Sequence, residues 1–200
     1  MKHLFPGIWQ WSWFSQEKQL DFNGLYLELE GQAVVVDPPP LTEEARAVIG
    51  RRGTVDALLI TNRDHVREAD AFRREFGARL FVPAHDAAAI EVTPDATYKD
   101  GERVPGGLFV VGLSDQKSPG ESAFLLMRGR GVLIVGDALI GKPPGGVSML
   151  PADKYADTNK AKEGLRRLLQ YECDSLLVGD GVSILTGAQE IVQRFLQGTP

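Results

Sequence analysis

The sequence is poor in the residues that bind soft metals or form cross-links. Its 200 residues include one cysteine and three histidines. A single cysteine excludes an internal disulfide and any cysteine-rich zinc cluster, so we expect Cys173 to be a small buried residue ahead of a strand. The three histidines limit any imidazole-based metal site to a few ligands.

Long apolar runs and long runs of one charge are also absent from the sequence. Pro6 and Gly7 interrupt the first residues, and no segment approaches the roughly 20 apolar residues of a membrane span. The net charge is -5 and the basic residues form no run, which argues against nucleic acid or an anionic membrane as a partner. We therefore expect a cytoplasmic protein that acts on a small molecule.

The pattern of apolar residues predicts one domain over residues 1–200, because an apolar content of 43% is enough for a sizeable single core. Strand patterns alternate with helical ones in two similar halves. The first half has strands at 8–14, 23–29 and 33–36, three prolines at 38–40, and a helix at 41–52. The second has strands at 108–111, 122–128 and 132–135 and helices at 154–172 and 186–197, the last opened by a capping-box pattern at Thr186. Two meanders, each followed by helices, predict an α/β fold, a four-layer αβ/βα sandwich.

Residues 55–72 are the most informative segment. An apolar, strand-like run is followed by apolar residues at helical spacing, and Gly77 is placed to end that helix. A polar cluster lies between the two: Asn62, Arg63, Asp64 and His65. Because open α/β sheets hold ligands where strands meet helix starts, the cluster is a candidate site.

This segment resembles the first motif of the metallo-β-lactamase fold superfamily, a hydrolase group that includes glyoxalase II. In that motif a strand ending in threonine is followed by H-x-H-x-D-H, and the corresponding sequence here, residues 61–67, is T-N-R-D-H-V-R. Further landmarks follow in the family's order: Asn23, Asp37, a turn at 118–122, Asp137 in Gly-Asp, and Asp180 in Gly-Asp-Gly. The resemblance implies the sandwich fold and a metal-dependent hydrolase.

Two registers of the motif are open. Without a gap, Asn62, Asp64 and Arg67 take the three histidine places and His65 points elsewhere, which destroys the metal site. With two residues deleted at the turn, Asp64 and His65 match the D-H end of the motif. In either register the first pair of histidines is lost.

The second register implies a site for at most one divalent ion. Asp137 matches the family's bridging aspartate, and Asp180 stands where the family has a histidine in G-H-G. The implied ligands are Asp64, His65, Asp137 and Asp180, with Asp64 also the catalytic residue. A carboxylate-rich set favours manganese or iron over zinc. The leading hypothesis is a metal-dependent hydrolase with an eroded site that acts on a small ester or thioester.

The alternative hypothesis is a catalytically silent, metal-free module that binds an anionic ligand. The aspartates beside glycines would then cap loops. Arg63, Arg67 and Lys142 would bind the ligand, since arginine suits carboxylate and phosphate, and Asn62 completes the predicted substrate-binding set.

Other residues have structural interpretations. His3 and His85 are expected to be structural or solvated. The tryptophans at 9, 11 and 13 share one face of a strand, which is typical of core packing or of a homodimer contact, with a substrate groove as the less favoured interpretation.

Overall fold

The computed structural model describes residues 1–198, which form two β-sheets and four α-helices. The strands are β1 (Lys2–Phe5), β2 (Ile8–Ser15), β3 (Leu20–Leu29), β4 (Gln32–Val36), β5 (Ala57–Leu59), β6 (Arg79–Pro83), β7 (Ala96–Tyr98), β8 (Arg103–Val104), β9 (Leu108–Gly112), β10 (Ser122–Leu126), β11 (Val132–Val135) and β12 (Ser175–Val178). The helices are α1 (Glu43–Arg52), α2 (Ala69–Phe76), α3 (Thr158–Leu165) and α4 (Ala188–Gln197). The first sheet contains β1 to β7 in chain order, and the second has the order β12-β11-β10-β9-β8.

Three apolar interfaces separate four layers of structure. Between the two sheets, Leu27 of β3 and Phe124 of β10 belong to one buried cluster. Ile49 of α1 and Phe72 of α2 pack on the outer face of the first sheet, and Leu165 of α3 packs on the second. Full burial of one such side chain stabilises the fold by about 1.5–3 kcal/mol. The predicted αβ/βα sandwich is confirmed.

The central strands are recognisable in the sequence because both of their faces are covered. Every residue of β5, β10, β11 and β12 is buried, and strands buried on both faces are continuous apolar runs. The predicted strands of both meanders are present, and β4 ends at Val36 ahead of the three prolines. Strands β1, β6, β7 and β8 were not predicted.

Two helix predictions are wrong in detail. The helix predicted at 154–172 begins only at Thr158, because the Asp157 carboxylate accepts the first free N–H groups, and a 3₁₀ helix (Arg166–Gln170) follows it. No side chain caps α4, whose N-cap is Gly187 in a left-handed conformation rather than the predicted capping box. By contrast, α2 ends at Gly77 as predicted, with φ of 72°.

The other structural expectations can be compared with burial. Cys173 and Trp11 are buried, and Trp11 stacks on Phe72, while Trp13 remains 39% exposed. His3 and His85 lie at the surface. Within the described chain, every helix is too short or too polar to cross a membrane.

The topology brings four loops to one edge of the sandwich. Strand β4 runs parallel to β5, and β11 runs parallel to β12, so the carboxyl ends of each pair lie together. Asp37 follows β4, the polar cluster follows β5, Asp137 follows β11 and Asp180 follows β12. Asn23 of β3 ties the two sheets together here, because its backbone N–H donates to the Gly179 carbonyl at 2.7 Å.

Candidate functional site

Asp37 holds the inner end of the site. One carboxylate oxygen accepts the backbone N–H of Thr61 at 2.8 Å, and the other accepts the Thr61 hydroxyl at 2.6 Å. The second oxygen also lies 2.7 Å from Nδ1 of His65. Asp37, which the sequence marked only as a landmark, therefore sets the orientation of the His65 ring.

His65 points into the protein and is buried. Its Nε2 lies 3.3 Å from Oδ1 of Asp137 and 3.1 Å from Nη2 of Arg67. Burial and the Arg67 guanidinium act to lower the pKa of His65, but Asp37 and Asp137 outweigh them and raise it to about 10. A protonated ring donates from both nitrogens, so it can bond to the two aspartates but cannot accept a bond from Arg67.

Arg67 crosses the centre of the site. Its Nη2 donates to Oδ1 of Asp180 at 2.5 Å, and its guanidinium carbon lies 4.3 Å from the centroid of the Phe22 ring. The side chain is only 10% exposed, yet its buried Nη1 has no hydrogen-bond partner among the described residues. Buried guanidinium groups are normally paired, so this donor is an unsatisfied hydrogen-bonding group of the site.

Lys117 is a site residue that the sequence prediction missed. Its Nζ lies 2.9 Å from Oδ2 of Asp137 and 3.0 Å from Oδ2 of Asp64. Burial acts to lower the pKa of Lys117, but Asp137 and Asp64 outweigh it and raise the pKa. For Asp137, burial alone would raise the pKa, but His65 and Lys117 hold it well below its usual range.

The loop that carries Lys117 is held by Asp86. The buried Asp86 carboxylate accepts the hydroxyl of Ser118 at 2.5 Å and the backbone N–H of Gly120 at 3.0 Å. It also accepts the backbone N–H of Arg63 at 2.8 Å. One buried carboxylate therefore joins the polar cluster after β5 to the loop before β10, and so places Lys117 opposite Asp64.

Glu121 lies beneath the same loop and is fully buried. One of its oxygens accepts the backbone N–H of Ala138 at 3.1 Å. Burial, with a further contribution from Asp137, raises the pKa of Glu121 well above its ordinary value. Burial therefore disfavours the charged form of Glu121.

These residues line a cleft of about 570 Å³. Three carboxylates line it, those of Asp64, Asp137 and Asp180, beside His65. Five other basic side chains line it as well: Lys18, Arg67, Lys117, Lys142 and Lys154. Six apolar residues also line it: Leu20, Phe22, Ile140, Met149, Leu150 and Pro151. The cleft therefore has an excess of positive charge, although the whole chain carries -5.

Three of the four predicted metal ligands meet in this cleft. His65, Asp137 and Asp180 each offer a ligand atom within 4.8 Å of the others, so the three could hold a metal ion together. Asp64 is outside this group, because its carboxylate is 41% exposed and turns toward Lys117.

Only two of the four predicted substrate-binding residues line the cleft. Arg67 and Lys142 line the cleft, and Asn62 and Arg63 do not. Asn62 is buried, and its side-chain oxygen accepts the backbone N–H of Asp64 at the start of a 3₁₀ helix. The Arg63 side chain is exposed, and its backbone N–H donates to Asp86.

The side chains around the motif fit a resident metal ion poorly. Where the first pair of histidines is lost, Asn62 and Asp64 offer an amide and a carboxylate, and the Lys117 ammonium group contacts Asp64. Zinc sites of this family need imidazoles. At the candidate group of His65, Asp137 and Asp180, the Arg67 guanidinium contacts both His65 and Asp180. A metal ion could use these two ligands only if Arg67 moved away.

Comparison with known proteins agrees with the architecture. The DIM-1 metallo-beta-lactamase superposes with a TM-score of 0.75 at 13% identity, covering 97% of this chain and 96% of its own. A metallo-beta-lactamase from Pontibacter korlensis gives 0.77 at 15% identity, covering 98% and 96%. A metallo-beta-lactamase family protein from Thermus thermophilus gives 0.72 at 19% identity, covering 98% and 80%. At these identities the likeness shows the fold alone, and no curated protein matches the chain.

A family model gives the assignment that the distant structures cannot give. The model described as the metallo-beta-lactamase superfamily matches residues 1–198. The chain therefore belongs to the metallo-beta-lactamase superfamily.

Proposed function

We propose that the protein binds a small organic anion in the cleft and does so without a resident metal ion. The observation that carries this proposal is the excess of basic side chains that line the cleft, among them Arg67, whose buried Nη1 has no partner among residues 1–198. Its neighbour Nη2 is already used by Asp180. A carboxylate or phosphate oxygen is the acceptor that a guanidinium group bonds best.

The charge of the cleft supports an anionic ligand. Lys18, Lys142 and Lys154 line it and, among the residues that the structure describes, have no carboxylate of the cleft within ion-pair distance. Their charges add to those of Arg67 and Lys117 and raise the local concentration of anions. The attraction is expected to weaken with salt for the exposed lysines and less so for Arg67, which is largely buried.

The apolar lining residues support a ligand with an apolar part. Phe22, Met149 and Leu150 face the same cleft as the basic groups, and pockets of this kind bind organic molecules through apolar contact while a few polar groups fix the orientation. A short-chain or aryl carboxylate, or an aryl phosphate, has both features.

Metal-dependent hydrolysis of a small ester or thioester is the second candidate. It is favoured by the proximity of His65, Asp137 and Asp180 and by membership of the superfamily. It requires that Arg67 leave the position in which it bonds to Asp180.

The first experiment measures ligand binding in the presence of EDTA. Benzoate, hexanoate and phenyl phosphate are titrated by calorimetry, and benzamide and hexanamide serve as neutral analogues. We expect the anions to bind and the amides not to bind. Lys142→Ala should weaken the anions several-fold, and Lys160→Ala, a change to an exposed lysine of α3 outside the cleft, should have no effect.

Two results would count against the proposal. If the amides bind as well as the anions, the basic groups do not select the ligand. If anions bind only after manganese or zinc is added, metal-dependent chemistry becomes the better account.

A further inference from the structure

We propose that Arg67 is a built-in cation that occupies a latent single-ion metal site, with His65, Asp137 and Asp180 as its ligands. The protein would thus replace the charge of a metal ion by the charge of its own side chain. Removing the guanidinium should create a metal-binding protein. This inference does not depend on which ligand the cleft binds.

Arg67 lies against two of the side chains that could hold an ion. Its Nη2 lies 3.1 Å from Nε2 of His65 and 2.5 Å from Oδ1 of Asp180. The third candidate ligand, Asp137, is close by, because its Oδ1 lies 3.3 Å from the same Nε2. One nitrogen of the guanidinium group therefore lies next to two of the three candidate ligands.

Lys117 is the second basic side chain that neutralises the carboxylates of the cleft. It contacts Oδ2 of Asp137, and the other oxygen of that carboxylate faces His65. The three carboxylates of the cleft, those of Asp64, Asp137 and Asp180, are thus each within 4 Å of a basic nitrogen. Buried carboxylates that converge without a cation would repel one another, so a fold that keeps them needs either ions or basic side chains.

The backbone of Arg67 supports a specific placement. Its φ is 39°, in the left-handed region that side chains other than glycine rarely adopt. Such a conformation is kept only where the surroundings hold it, and it occurs often at functional sites. Here the contacts with Asp180 and Phe22 hold the side chain, and they aim it into the ligand cluster.

The test compares metal binding by untagged protein with and without the guanidinium. Wild type, Arg67→Ala and the control Arg63→Ala are titrated with MnCl₂ and with ZnCl₂ by calorimetry. Arg63 is a matched control because its side chain is exposed and does not line the cleft. We expect Arg67→Ala to bind one ion per chain about tenfold more tightly, or better, than the other two proteins, the size of effect that neighbouring groups have on metal sites.

Melting temperature gives a second readout. Added metal should raise the melting temperature of Arg67→Ala, because an ion that binds only the folded state stabilises it, and should leave wild type and Arg63→Ala unchanged. Adding His65→Ala to Arg67→Ala should abolish both the binding and the rise.

Arg67→Gln decides the matter if Arg67→Ala does not fold. Its amide is neutral and still a hydrogen-bond donor, so the charge is lost while the side chain stays polar. Tighter metal binding by this variant than by wild type supports the proposal. Equal affinity in wild type and in the folded Arg67 variants, whether strong or undetectable, overturns it.

Discussion

The ion pair between Arg67 and Asp180 gives the sharpest test of the site. The two side chains are 10% and 9% exposed, and their closest atoms are 2.5 Å apart. Solvent screens such a pair only weakly, so Arg67→Ala leaves the Asp180 carboxylate buried and uncompensated. Breaking a buried pair in this way costs about 3–5 kcal/mol in the free energy of unfolding.

This cost is large enough to measure in a domain of this size. For domains of 150–250 residues, 1 kcal/mol corresponds to roughly 2–4 °C in melting temperature. Loss of the pair should therefore lower the melting temperature by about 6 °C or more. The guanidinium also lies over Phe22, and losing that cation–π contact adds about 1 kcal/mol.

A double-mutant cycle separates the pair from its surroundings. Urea unfolding of wild type, Arg67→Ala, Asp180→Ala and the double variant should give a coupling energy of about 1–3 kcal/mol. The control is the pair of Arg167 and Asp100, whose side chains are 37% and 44% exposed, so Arg167→Ala should cost about 1 kcal/mol or less. If Arg67→Ala costs no more than Arg167→Ala, the site is not organised around this ion pair.

Four further outcomes follow from the same contacts. The pKa of folded His65 is raised from 6.5 to about 10, so its protonation contributes fully to the free energy of unfolding below pH 6.5, and this contribution is lost as the pH rises toward 10. His65→Gln should therefore make the decline of the unfolding free energy with rising pH shallower. An unchanged slope would contradict the assignment. The pKa of Asp137 is held below the ordinary 3.8, so its ionised carboxylate adds to the free energy of unfolding above pH 3.8, and this contribution is lost in acid. Asp137→Asn should therefore lower the free energy of unfolding at pH 7 by roughly 3 kcal/mol. A rise would show that repulsion between carboxylates dominates. Dialysis against EDTA should leave the wild-type melting temperature unchanged, and a fall would indicate a resident ion. Turnover of a β-lactam or a bis-aryl phosphate should stay at background, since the donor set does not fit two ions, and turnover that disappears in Asp137→Ala would refute this.

The sequence alone determined the fold. Strands buried on both faces are mostly apolar, so β11 was visible as an uninterrupted apolar run, and so were β10 and β12 after the serine that begins each. The prolines after Asp37 and the glycine at 77 ended β4 and α2 by local geometry that requires no tertiary contact. The four metal ligands were implied by the family resemblance, and three of them, His65, Asp137 and Asp180, lie close together at one edge of the sandwich.

Only the tertiary structure decided which charges meet. Lys117 lies 20 residues from Asp137 in the chain, and nothing in the spacing of either residue predicts their contact. The buried Asp86 carboxylate, which no motif marked, places that loop. Likewise, the direction of His65 depends on Asp37, 28 residues earlier. Loop side chains are placed by hydrogen bonds between distant segments, so a sequence motif could name ligands here but could not show that basic side chains already pair with them.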